Sequence, residues 1–175
     1  MAMQTDVTSA HLNGSGFAYI GRTRLKSVVI SGQASAGTVD IFDTATAPIA
    51  ATYGQAGTTI TVTKEGHGLT TGTIVGIAFI AAGGVSATDG NYPINVLGPD
   101  TFTITSLNTA SVATLTACSY VSGVRHSNWA TSFDTSAVTA GGQALFITLP
   151  GEGLLMENGI YIDTLNINAV TVFYG

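Results

Sequence analysis

The stretch between positions 60 and 105 of this 175-residue chain contains a His, a Glu, an Asp and several glycines that could belong to an active site. The segments "KEGHGL" and "TDGNY" supply Glu65, His67 and Asp89 there. General acid–base catalysis by such residues needs a reacting group within hydrogen-bonding reach. No G-x-S-x-G or H-E-x-x-H pattern accompanies them. We therefore predict that Gly66 and Gly68 make a tight bend and that His67 holds this loop by a hydrogen bond.

The sequence also lacks the residue patterns of metal-binding and cofactor-binding sites. The three histidines and the single Cys118 do not have the spacing of a zinc site. The "DGN" turn at 89–91 carries one acid, whereas a calcium loop needs several acids over about a dozen residues. We predict no catalytic, cofactor-binding or metal-binding residue, and we interpret Cys118 in "ATLTACSY" as a small core residue.

Composition limits the classes of partner. Charged residues make up 9% of the chain, against roughly 25% in an ordinary soluble domain, and the net charge is −5. An acidic chain without a basic stripe argues against a nucleic-acid-binding protein. The longest apolar runs fall far short of the ~18 residues of a membrane span, and the N-terminus lacks the pattern of a signal peptide. A surface this poor in charge favours occupation by protein partners.

Hydrophobic residues recur at every second position along most of the chain. Ile60 and Val62 alternate with threonines in "TTITVT", and Phe102 and Ile104 do so in "TFTIT". The segments "RLKSVVI" (24–30), "GTVDIFD" (37–43) and "QALFITL" (143–149) have the same character. In the tail "TLNINAVTVFYG" the alternation changes phase, which predicts a β-bulge or a break into two strands. We predict an all-β protein of roughly a dozen short strands.

The middle of the chain differs from its two ends. Residues 1–56 and 119–175 share strand pairs and aspartate-containing turns, whereas 57–118 is a block of alternating strands and glycine corners. Insertions are tolerated at exposed loop tips. We therefore predict an outer, jelly-roll-like β-sandwich domain (1–56 plus 119–175) with a small β-barrel domain (57–118) inserted in one of its loops.

Two resemblances agree with this division. Residues 58–106, with "HGL", "TG", "DGNY" and "DTFTI" in order, resemble the β-barrel modules described as similar to the first catalytic cysteine half-domain of ubiquitin-activating enzymes. This resemblance implies a barrel and no ubiquitin chemistry. The segments "AYIGRTRLKSVVISGQASAGTVDIFD" and "LPGEGLLMENGIYIDTLNINAVTVFYG" resemble small virion structural proteins of tailed phages that infect marine and cyanobacterial hosts. That resemblance implies a virion component assembled in the host cytoplasm.

Candidate partner contacts lie in the outer domain. Arg22, Arg24 and Lys26 alternate, so on a regular strand they would share one face, either as a solvated face or as a contact for an acidic partner surface. "LPGEGLLMENG" offers Leu154 and Met156, either as a docking knob or as part of a buried strand. Trp129 is a candidate interface anchor, because aromatic residues often serve in this way.

Three classes of function follow. The first is a non-enzymatic virion protein, either a head decoration protein that binds and stabilises the shell of major capsid protein, or a tail, neck or fibre-attachment component; a homo-oligomer is open in either case. The second is a module that binds host-surface glycans through the rings of Trp129, Tyr53 and Tyr92. The third is an enzyme such as a glycan hydrolase, for which Glu65 with Asp89 or Glu152 with Glu157 are the nearby acid pairs.

Overall fold

The structure is a computed structural model that describes residues 6–33, 37–80, 87–122, 128–134 and 144–175. These residues form fourteen strands and no helix, so the predicted all-β class is confirmed. Correspondingly, the described part contains no helix with the length and hydrophobicity needed to cross a lipid bilayer.

The chain divides into two compact units. The first, here called the jelly-roll unit, consists of Met1–Ala47 and Thr131–Gly175, and the second, the inserted unit, is Pro48–Ala130. The inserted unit therefore begins earlier and ends later than the predicted 57–118. Boundaries at 57 and 118 would cut through two long strands that pair with each other along most of their length.

The jelly-roll unit is built from two antiparallel sheets. One sheet has the order β1-β14-β3-β11, with β12 also beside β3, and the other has the order β10-β4-β13-β2. The strands are β1 (Thr8–Leu12), β2 (Gly16–Ile20), β3 (Thr23–Gly32), β4 (Thr38–Asp43), β10 (Asn128–Asp134), β11 (Ala144–Thr148), β12 (Leu154–Met156), β13 (Gly159–Leu165) and β14 (Ile167–Tyr174). Since β11 and β12 pair with successive parts of β3, they count as one interrupted strand. The two sheets then have the strand order of an eight-stranded jelly roll.

The core of this unit comes from alternate residues of both sheets. Side chains with no exposed surface include Val28 and Ile30 of β3, Ile41 of β4 and Ile162 of β13. The change of phase predicted in the tail is present as a β-bulge inside β14, whose register against β3 shifts between Ile167 and Ala169. The bulge lets Ile167, Val170 and Val172 all face the core. Asn166, with a φ of 53°, separates β14 from β13.

The inserted unit contains β5 (Ile49–Thr63), β6 (Ile74–Phe79), β7 (Gly90–Pro93), β8 (Asn95–Gly98) and β9 (Thr101–Ser122). Its sheet has the order β5-β9-β6-β7, with β8 also beside β9. The predicted barrel is not found as a closed barrel, because the pairing path of the described strands ends at β5 and β7. Only Ile94 separates β7, which pairs with β6, from β8, which pairs with β9. The sheet therefore curls around its own apolar cluster without closing.

Candidate functional site

The jelly-roll unit contains an open groove of about 450 Å³. Its lining residues come from five strands that meet at one end of the unit, and they are mostly polar. They are Thr8 of β1, Tyr19 of β2, Arg22 of the following turn, Thr23 and Arg24 at the start of β3, Leu155 of β12, Tyr174 at the end of β14, and Gly175 after it. This volume lies in the range of sites that bind small molecules or single side chains.

Arg22 lies in the turn between β2 and β3, on the rim of the groove. The amide of Gly21 donates to the carbonyl of Asn158 at 2.8 Å, which ties this turn to the β12–β13 turn. The Arg22 Nε atom lies 3.2 Å from Oε2 of Glu157. The two side chains are 68% and 38% exposed. An ion pair this exposed contributes little free energy, so a competing anion can displace it.

The buried carboxylate of Asp43 fixes the backbone that carries Glu157. Its Oδ2 accepts the amide hydrogen of Glu157 at 2.8 Å, and its Oδ1 accepts those of Asn158 and Gly159 at 2.7 and 3.2 Å. Hydrogen bonds to an ionised acceptor are among the strong ones. The β12–β13 turn is thus positioned by Asp43 independently of where the Glu157 side chain points.

Arg24 lies deeper in the groove than Arg22. It is partly buried and pairs across the sheet with Leu155 of β12. Among the described residues, no hydrogen bond or ion pair engages the Arg24 guanidinium, although its five N–H groups all require acceptors. Arg24 is therefore the cation of this groove that is open to a ligand.

Two tyrosine rings form another wall. The ring centroids of Tyr19 and Tyr174 lie 5.0 Å apart with an interplanar angle of 38°. Gly21 permits this packing, because a Cβ there would lie 3.3 Å from the Tyr19 ring and the residue has a φ of +124°. The rings come from β2 and β14, so no local sequence pattern could have revealed the pair.

Arg22, Arg24 and Lys26 were predicted to share one face of a regular strand, but Arg22 lies in the turn before β3 and the strand is irregular at Lys26. Phe173 and Tyr174 are consecutive on β14, but they pair with Ser27 and Leu25 of β3, so Lys26 is an extra residue in a β-bulge. Its Nζ donates to the carbonyl of Glu152 at 2.9 Å, and Lys26 does not line the groove. The buried positions Leu25 and Val28 are three apart, and this spacing is the signal that could have predicted the bulge.

The predicted contacts on β12 are partly corrected. Met156 has no exposed surface and belongs to the core, because alternation along a strand turns it inward. Leu154 is 37% exposed and remains open to a partner. Leu155 between them lines the groove and was not among the predicted contacts.

Trp129 lies at the start of β10, in the part of that strand that belongs to the inserted unit. Its backbone amide donates to Oδ1 of Asn91 at 3.0 Å, and its carbonyl accepts from Nδ2 of the same side chain at 3.0 Å. The Trp129 side chain is partly buried. Trp129 does not line the groove.

The histidine loop of the inserted unit has the predicted structural role. The Nδ1 atom of His67 accepts the amide hydrogen of Leu69 at 3.0 Å, so Nε2 carries the proton and donates to the carbonyl of Gly98 at 3.0 Å. Gly66 and Gly68 have φ values of 59° and 63°, as the predicted bend requires. Asp89 accepts the amide hydrogen of Phe79 at 2.8 Å, so its carboxylate supports a strand end.

Cys118 lies in the core of the inserted unit with 2% of its surface exposed, as predicted. Burial raises the pKa of the Cys118 thiol to about 12. In the unfolded chain the thiol loses its proton near pH 8.5, whereas the folded chain keeps it. The unfolded state therefore binds fewer protons in this window, and stability falls as the pH rises from about 9 to 12.

This effect gives a prediction for Cys118→Ala. The variant should show a shallower fall in the free energy of unfolding across that pH window, measured by urea denaturation at several pH values. Burial also raises the pKa values of four tyrosines, which contribute to the slope that remains: Tyr53, Tyr92, Tyr120 and Tyr161. Identical slopes in the two proteins would contradict the assignment of a proton-linked thiol.

In chemical terms, the groove offers guanidinium and phenol groups for an anion. Arginine suits carboxylate and phosphate groups because its planar fork can form two parallel hydrogen bonds. Among the residues that the structure describes, no group of three or more His, Cys, Asp or Glu side chains could hold a metal ion.

Comparison of the chain with family models, with curated proteins and with solved structures finds no match in any of the three.

Proposed function

We propose that the chain is a non-enzymatic structural protein of a virus particle, a head decoration protein that binds the capsid shell and stabilises it. The observation that carries the proposal is the eight-stranded jelly-roll order, with a second β unit inserted between the adjacent strands β4 and β10. Jelly rolls recur in viral capsid proteins and also in lectins. The fold alone does not assign function, so the surface chemistry must decide between these uses.

The distribution of charge supports a protein partner. The whole chain has five Lys and Arg residues, and three of them are Arg22, Arg24 and Lys26. Two of these three cations, Arg22 and Arg24, line the groove. Ile20, which is 60% exposed, and Leu154 lie on β2 and β12, which also contribute to the groove. A cationic groove flanked by exposed apolar side chains has the composition of a protein-binding surface.

The glycan-binding alternative has less support. Tyr53 is 1% exposed, and the Tyr92 hydroxyl donates to the carbonyl of Thr88 at 2.5 Å while its ring packs on the core cluster. A sugar-binding platform needs exposed rings that present a flat face. The 38° angle between Tyr19 and Tyr174 does not provide one. A tail, neck or fibre-attachment position would use the same groove and remains the alternative within the virion class.

The proposal predicts that the chain binds shells made by the capsid protein of the same virus. On co-expression, the two proteins should sediment together in a sucrose gradient, with the chain present in a constant ratio to the shell protein. The bound shells should withstand heating or chelation better than bare shells. A chain that stays at the top of the gradient with assembled shells present would contradict the head assignment. Sedimentation with purified tails would favour the alternative position.

A further inference from the structure

We propose that the groove of the jelly-roll unit is a carboxylate-binding site, in which Arg24 binds the ligand and Glu157 is an internal competitor for Arg22. The ligand that it fits is an Asp or Glu side chain on an extended segment of the shell protein. The source of the carboxylate rests on the function proposed above, whereas the chemistry of the site rests on the groove itself.

The argument begins with Arg24. A partly buried guanidinium retains a cost of desolvation that an acceptor would offset, and the described residues supply no acceptor. The hydroxyl groups of Tyr19 and Tyr174 likewise form no hydrogen bond with a described residue, although both rings line the groove. One carboxylate has two oxygens and about four lone-pair positions, so it can accept from the guanidinium and from a phenol together.

Glu157 adds a second component to the site. Its Oε2 atom lies 3.2 Å from Nε of Arg22. Because Asp43 holds the Glu157 amide and not its side chain, the side chain can leave Arg22 without moving the turn. An arriving carboxylate would then replace Glu157 on Arg22 and also reach Arg24. Glu157 thereby weakens binding of any anion that does not also use Arg24.

The contacts and the volume of the groove favour a carboxylate over a phosphate. Arg22 and Arg24 both present guanidinium groups, and Arg22 already binds a carboxylate, that of Glu157. The half-buried Leu155 and the two rings provide apolar surface for the methylene groups of a glutamate side chain. A volume of about 450 Å³ accommodates such a side chain and part of its backbone.

The test is a titration of the full chain followed by NMR, with an acetylated and amidated Thr-Glu-Thr-Glu-Thr peptide and its Gln counterpart. The Glu peptide is expected to shift the Arg24 Nε–H and the Tyr19 and Tyr174 ring signals in a saturable way. Arg24→Gln should weaken this binding by about tenfold or more, the usual effect of losing a charged hydrogen-bond partner. Lys64→Gln, which removes a cation of the inserted unit, is the matched control and should leave the affinity unchanged.

Glu157→Gln distinguishes this site from general attraction to positive charge. It keeps the backbone amide that donates to Asp43 and removes the competing carboxylate, so the Glu peptide should bind several-fold more tightly. Equal binding of the Gln peptide, an unchanged affinity in Arg24→Gln, or weaker binding in Glu157→Gln would each overturn the proposal. Inorganic phosphate that binds more tightly than the peptide would also overturn it.

The same variants separate this inference from the proposed function. If the peptide behaves as expected and the chain does not sediment with shells, the site stands and the shell is not its partner. If the chain sediments with shells and Arg24→Gln keeps both shell and peptide binding, the carboxylate site is wrong and the virion assignment stands.

Discussion

Asp43→Ala is expected to destabilise the jelly-roll unit by about 3–5 kcal/mol, because three backbone N–H groups lose a charged acceptor in a nearly dry position. Asp43 is 6% exposed, so water cannot freely replace the carboxylate. Urea denaturation measures the loss. Amide hydrogen exchange should also rise first at Glu157, Asn158 and Gly159, which donate to this side chain.

Two further variants sharpen this prediction. Asp43→Asn keeps one acceptor oxygen but turns an NH₂ group toward backbone donors, so its loss of stability should be intermediate. Asp100→Ala is the matched control, because the exposed Asp100 accepts a single amide hydrogen, from Gly66 at 2.8 Å. We expect a loss of about 1 kcal/mol there. If Asp43→Ala and Asp100→Ala had the same free energy of unfolding, Asp43 would not have the positioning role that we assign to it.

Phe102→Ala is expected to cost the inserted unit about 3–5 kcal/mol, the usual range for deletion of a buried aromatic side chain. Phe102 has no exposed surface. Its ring makes edge contacts with His67 at 5.4 Å and with Tyr120 at 5.6 Å. The deletion therefore opens the core and also loosens the His67 loop. The rate at which a thiol reagent labels the buried Cys118 reports this opening directly, and it should rise by a factor of a hundred or more, on the order of the free-energy change.

The control for this variant lies on the same strand. Leu107 belongs to β9 and is 98% exposed, so Leu107→Ala should change stability by less than about 0.5 kcal/mol. Labelling of Cys118 should keep its original rate in that variant. If Leu107→Ala lowered the free energy of unfolding as much as Phe102→Ala, the burial of β9 would differ from the one that the structure describes.

Local pattern predicted the strands well, because alternation directly records which face of a strand is buried. Ile60 and Val62 of β5, and Phe102 and Ile104 of β9, are all buried as their spacing predicts. The change of phase within β14 was visible for the same reason. Strand length was less accessible: β5 and β9 are longer than predicted, since pairing across the sheet carries them through register shifts at which the alternation is lost.

Non-local features could not be read from the sequence. The jelly-roll order depends on which strands pair, and β1 pairs with β14 from opposite ends of the chain. The groove has the same origin, because Tyr19 and Tyr174 meet only after that sheet and the sheet of β2 have formed. By contrast, Arg22 and Arg24 were identifiable from their spacing, and the three-residue spacing of the buried Leu25 and Val28 was a local signal for the bulge at Lys26.

We propose that this chain acts by binding a neighbouring protein through the groove of its jelly-roll unit. The most direct test is cryo-electron microscopy of shells assembled with the chain. We predict density for one copy of the chain at each of its binding positions on the shell. In that density Arg22, Arg24, Tyr19 and Tyr174 face the shell protein, and an acidic side chain of the shell protein lies against Arg24. A map in which this groove faces solvent, or in which the bound face lies wholly elsewhere on the chain, would contradict the claim.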